Sequence, residues 1–118
     1  MKHPNQPLCN ATFQTVRNLL IDDALRWTRR LGKFDAADWA KRSKAARGAA
    51  EQVIDKEPGY HYVLWYHASD LAFKPSQRRS TDAEVDRLAR SVVRRVSGML
   101  RAGVRLAAAK AAGLRLED

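Results

Sequence analysis

The chain has 118 residues, 45% of them apolar and 30% charged, a composition that suits one folded domain and excludes both a disordered chain and two separate cores. Its 22 Lys and Arg against 13 Asp and Glu leave a net charge of +9, an excess that costs self-repulsion and favours anionic partners without naming them. The single cysteine, Cys9, excludes an intrachain disulfide and a paired-cysteine zinc or redox motif.

The start, MKHPNQPLCN, lacks the apolar core of a secretion signal, and no run of about 18 apolar residues occurs anywhere, so a soluble cytoplasmic protein without a membrane span is expected. Residues 1–9 read as a flexible N-terminal arm, 10–113 as a helical bundle domain and 114–118 as a C-terminal tail. The fold class expected is all-α: a single-domain antiparallel bundle of about four helices with a long basic C-terminal helix.

In the first segment Phe13, Val16, Leu20, Ala24, Trp27 and Leu31 recur every three or four residues and share one helical face. Asn10 or Thr12 is placed to cap its start, and Gly32 to end it. The second segment opens on Asp35-Ala-Ala-Asp38 and runs towards Pro58, with Trp39, Ala46, Ala50 and Val53 on one side. Its charges oppose the helix macrodipole, since Lys41, Arg42, Lys44 and Arg47 come early and Glu51, Asp55 and Glu57 late. Helix stability alone does not favour that order, which suggests another use for the basic cluster.

The third segment, YHYVLWYHASDLAF over 60–73, is ambiguous between strand alternation and helical spacing. A helix is expected, because a strand there has no partner elsewhere in the chain. Tyr62, Trp65, Tyr66 and Phe73 are the candidate residues for a partner interface or for self-association into a homo-oligomer. After the basic loop KPSQRRS, Thr81-Asp-Ala-Glu84 forms a capping box that opens the last helix. Unbroken to about Ala112, this helix would span roughly 45 Å. Gly98 and Gly103 make a kink conceivable.

On that last helix Val85, Leu88, Val92, Val96, Met99, Gly103 and Leu106 fall on one side. Arg87, Arg90, Arg94, Arg101 and Arg105 fall within about 60° of one another on the other. No acid occurs from Arg87 through Leu116, so the i,i+4 pairing usual on an inert helix face is missing. Arginine's planar fork matches phosphate and carboxylate. The expected function is therefore nucleic-acid binding, to DNA or RNA, through phosphate contacts by these five arginines and by Arg78 and Arg79 of the preceding loop. The alternative is a protein–protein interaction module, an adaptor or inhibitor that docks its basic face on an acidic protein.

No base-reading motif is visible, and a coiled coil fails because Arg95 interrupts its seam. Membrane-surface binding ranks lower, since the last helix lacks an anchoring Trp or Phe. An enzyme is not expected. His61 and His67 are six apart, unlike a helical metal pair, and with Asp70 they read better as polar rim contacts. Asp22 and Asp23 read as surface partners of Arg26. No phosphate-binding glycine loop or nucleophile elbow occurs, so no catalytic residue, metal site or cofactor is expected.

Overall fold

A computed structural model describes residues 6–57, 59–60, 83, 87, 90–91, 93–94, 96 and 98–116, with side chains from Phe13 onward. These form an all-helical, compact single domain. Among the described residues it contains three bounded helices, α1 (Gln6–Gly32), α2 (Ala36–Lys56) and α3 (Gly98–Ala111), and no strand. The third segment over 61–73, with Tyr62, Trp65, Tyr66 and Phe73, lies outside the described residues, as do Arg78, Arg79, His61, His67, Asp70 and most of the capping box.

Helix α1 begins at Gln6 and not at Asn10 or Thr12. Residues 6–9, expected in a free arm, are therefore helical. Its buried face holds Phe13, Val16, Leu20 and Ala24 as the spacing predicts, but widens to Ile21, Leu25 and Thr28. Trp27 is only half-buried and Leu31 is 47% exposed, so the C-terminal end of the predicted stripe is less covered than its middle. Thr28 is fully buried; its hydroxyl donates to the Ala24 carbonyl at 2.8 Å, which removes the penalty of an unpaired buried polar group.

The stop of α1 is a Schellman motif. The Phe34 amide donates to the Arg29 carbonyl and the Lys33 amide to the Arg30 carbonyl, both at 3.2 Å. The left-handed residue of the motif is Lys33, at φ 53°, and not Gly32. A lysine there costs about 1 kcal/mol relative to glycine, because its Cβ crowds the backbone. Gly32 answers a different demand: a Cβ on it would run into the Phe34 ring, which folds back over the helix end.

Three residues later Asp35 caps α2, its carboxylate accepting from the Asp38 amide at 2.8 Å, a device worth about 1 kcal/mol. Helix α2 buries Ala46, Ala50 and Ile54, and Trp39 and Val53 pack beside them. The small alanines allow α3 to lie close, and α3 packs most extensively on α2.

The last segment is not one rod. Residues 90, 91, 93 and 94 are helical, Val96 lies in a bend, and a new helix starts at Gly98. The long C-terminal helix expected from the sequence is interrupted at Val96, close to Gly98 where a kink was conceivable, and the part after the bend, α3, has 14 residues. The restart changes its phase. Val93, Val96, Val104, Ala108, Ala109 and Ala112 are buried, whereas Met99 is 82% and Leu106 43% exposed. At 100° per residue Met99 and Leu106 stand about 140–160° from Val104, while Arg101 and Arg105 stand only about 60–100° from it. The two arginines expected on the outer face thus flank the core, and two of the expected core residues face outward.

Helix α3 ends in a second Schellman motif, Leu114 N–H to Ala109 and Gly113 N–H to Lys110, each at 3.0 Å. Gly113 takes the left-handed position at φ 92°. Leu114, expected as the first residue of a tail, is part of this cap.

Arginines fasten the helices together. Arg17 forks Asp55 with bonds of 3.0 and 2.9 Å, joining α1 to α2, and the Asp55 carboxylate holds the Arg17 guanidinium above its ordinary value. Arg47 reaches Asp22 at 3.4 Å. Arg42 pairs with Asp38 at 2.9 Å, donates to the Ala112 carbonyl, and lies 4.5 Å over the Phe34 ring. The inverted charge order of α2 is thereby explained in part: Arg42 and Arg47 serve partners on its neighbours. Exposed pairs of this kind contribute roughly 0–1 kcal/mol each. Fully burying Val16, Leu20, Ile21, Ile54 or Val104 contributes roughly 1.5–3 kcal/mol apiece, so the apolar centre holds the fold and the arginines set the register.

Candidate nucleic-acid interface

The predicted stripe is divided by the bend at Val96. Before it, Arg87, Arg90 and Arg94 are exposed. After it, Arg101 is half-buried and turns back across the bend, its guanidinium donating to the Arg94 carbonyl at 2.7 Å. That bond supplies a partner to a carbonyl at the end of the preceding helical stretch. Arg105 goes further inward. It forks Asp23 through Nε–Oδ2 at 3.0 Å and Nη2–Oδ1 at 3.1 Å, and lies 5.4 Å from the centroid of the Trp27 ring.

With side chains only 26% and 19% exposed, Arg105 and Asp23 form the most enclosed ion pair among those described. Asp22 and Asp23, expected to meet Arg26, instead bind Arg47 and Arg105. The structure therefore brings Arg87, Arg90 and Arg94 to solvent, and commits Arg101 and Arg105 to the fold. Arg78 and Arg79 lie outside the described residues.

A second basic group was missed by the spacing argument. The last turns of α1 and the residue just after it carry Arg26, Arg29, Arg30 and Lys33, all exposed, around an open cleft of about 440 Å³ that Phe34 also lines. The signal stands in the sequence RWTRRLGK, although cations in the last turn of a helix also have an ordinary use as complements to the macrodipole. That accounts for Arg29 and Arg30, which occupy the last turn. It does not account for Arg26, a turn earlier, or for Lys33, beyond the helix. Arg26 and Arg30 are four apart, a like-charge spacing that costs a helix about 0.2–0.5 kcal/mol.

The acids that would neutralise this end are spent elsewhere, Asp22 on Arg47 and Asp23 on Arg105. Among the described residues Arg26, Arg30 and Lys33 meet no carboxylate, and Arg29 donates only to the Phe34 carbonyl, at 3.4 Å.

Phe34 is held from the other side. Its ring stacks with Trp39, centroids 6.0 Å apart and planes 17° from parallel, and Arg42 covers it. Phe34 is thus held in place, while the other residues lining the cleft are exposed cations. Lys41 and Lys44 of α2 are also exposed. No group of three His, Cys, Asp or Glu side chains placed to hold a metal occurs among the described residues, and no described helix is long and apolar enough to cross a membrane.

No protein-family model matches the chain, and no curated protein or solved structure is significantly similar to it.

Proposed function

We propose that this protein binds nucleic acid, through contacts to phosphates rather than to bases. The observation that supports this reading is how the charges are distributed. Asp22, Asp23, Asp38 and Asp55 are each engaged by an arginine within the fold. Arg26, Arg29, Arg30, Lys33, Arg87 and Arg94 are left as an exposed cationic surface. A surface on which these acids are already paired, and these cations are not, attracts a polyanion.

Arginine suits this role because its fork binds phosphate oxygens in pairs. No base-reading motif is visible in the sequence, so little sequence preference is expected. Arg101 and Arg105, tied to Arg94 and Asp23, serve this function by shaping the scaffold.

The test is fluorescence anisotropy of the pure protein with labelled duplex DNA, single-stranded DNA and RNA, with an acidic protein as control, across a salt series. About five neutralised phosphates give a log–log slope near −4.5 for duplex DNA, from about −0.9 per phosphate. Tight, steeply salt-dependent binding to a nucleic acid, with a shallow response to the control, supports the reading. Absence of binding to all three nucleic acids at low salt sinks it, and preferential binding of the control favours the acidic-protein alternative.

A further inference from the structure

We infer that the cleft at the end of α1, lined by Arg26, Arg29, Arg30, Lys33 and Phe34, is a discrete phosphate-binding site that seats adjacent backbone phosphates of a nucleic acid. The choice of nucleic acid as the source rests on the function proposed above; the phosphate chemistry of the cleft does not.

Three observations converge on it. First, the cations are gathered: at 100° per residue Arg26, Arg29 and Arg30 lie within about 100° of one another on α1, and Lys33, just beyond the helix, lines the same cleft. All four line one open concave space and are not spread around the helix. Second, the carboxylates within reach along α1 are drawn away by other helices, Asp22 by Arg47 and Asp23 by Arg105. The cations are thereby left to an external anion.

Third, the backbone bends against its preference to complete the set. Lys33 takes the left-handed conformation, φ 53°, at the position of the Schellman motif where glycine is favoured. Strained backbone of this kind persists where the surrounding structure over-determines it, and it clusters at ligand sites. Here the side chain is the fourth cation.

The helix end works against an anion only weakly. A C-terminus carries the equivalent of roughly half a negative charge, against four formal positive charges. The carbonyls of Arg29 and Arg30 are moreover already occupied by the Phe34 and Lys33 amides. Trp39 and Arg42 hold the Phe34 ring. A site with one held aromatic ring and four cations along its lining suits a multiply charged, compact ligand better than a flat apolar one.

The experiment uses the full chain. Pyrophosphate is titrated and followed by NMR at the arginine side-chain and backbone amide signals, and labelled DNA and RNA are titrated by anisotropy, with wild type, R26Q/R30Q and K33G. The expected result is saturable pyrophosphate binding with shifts centred on Arg26, Arg29, Arg30 and Lys33. R26Q/R30Q should lose at least about tenfold in affinity for pyrophosphate and for nucleic acid, and the magnitude of the duplex DNA salt slope should fall by about two, near one per lost contact. K33G should melt at a higher temperature than wild type and bind pyrophosphate more weakly.

Shifts spread evenly over Arg87, Arg94, Lys41 and Lys44, or variants that bind pyrophosphate like wild type, would overturn the site. Pyrophosphate held in the cleft without any nucleic-acid binding would retain the phosphate site and overturn its assignment to a nucleic-acid backbone.

Discussion

The Tyr60 hydroxyl lies directly against Gly103 of α3, in the space that a side chain at that position would take. Tyr60 is 9% exposed and belongs to the apolar core. Replacing Gly103 with alanine should therefore destabilise the wild-type protein by about 1 kcal/mol, overpacking outweighing the helix propensity gained. In a Y60F background the oxygen is gone, and the same substitution should stabilise by up to about 1 kcal/mol. Urea melts of the four proteins in the double-mutant cycle check this, and equal effects in both backgrounds would refute the contact.

Tyr60 also carries a pH signature. Burial first, and the nearby Glu57 charge second, raise its hydroxyl above the ordinary tyrosine value of 10.0. The folded protein then keeps a proton that the unfolded chain has already lost. The associated stability is complete below about pH 10 and falls as pH rises further. Alkaline denaturation profiles should show this decline in wild type to a greater extent than in Y60F.

Arg105 and Arg94 should separate cleanly. Arg105→Ala leaves Asp23 half-enclosed without its fork and should cost about 2 kcal/mol in stability. Arg94→Glu removes an exposed side chain, and leaves intact the backbone carbonyl that Arg101 uses. It should shift stability by no more than about 0.5 kcal/mol while weakening nucleic-acid binding. Thermal melts and anisotropy run on the same two variants provide the comparison.

At the α1 stop, Gly32→Ala would push a methyl group into the Phe34 ring. The ring must leave its place between Trp39 and Arg42, with a loss of about 1–3 kcal/mol. Near-ultraviolet circular dichroism, which reads the Trp39 environment, should change with it; an unchanged spectrum would contradict the packing described.

Much of α1 and α2 was legible in the sequence because their evidence is local. Phe13, Val16, Leu20 and Ala24 mark a face by spacing alone, and Asp35 followed by Asp38 announces a cap. The last helix was misjudged because periodicity assumes an unbroken phase. Counting from Val85 through the bend at Val96 carries Met99 and Leu106 to the wrong side. The fate of Arg105 was hidden for another reason: its partner, Asp23, lies 82 residues away, and no window of local pattern reaches that far. Likewise RWTRRLGK displays its cations plainly, but only the tertiary capture of Asp22 and Asp23 shows that they lack acids.

Arg42 has a consequence for how the molecule opens. Its guanidinium touches Asp38 in the first turn of α2, Phe34 at the cap of α1 and the Ala112 carbonyl at the cap of α3. Helix ends are ordinarily the first parts to fray, each independently and at little cost in free energy. Here three ends share one side chain, so loosening any of them withdraws support from the other two. Fraying at these ends should therefore be a joint event, with their amides exchanging with solvent as one cooperative unit, which hydrogen exchange of wild type against Arg42→Ala would show.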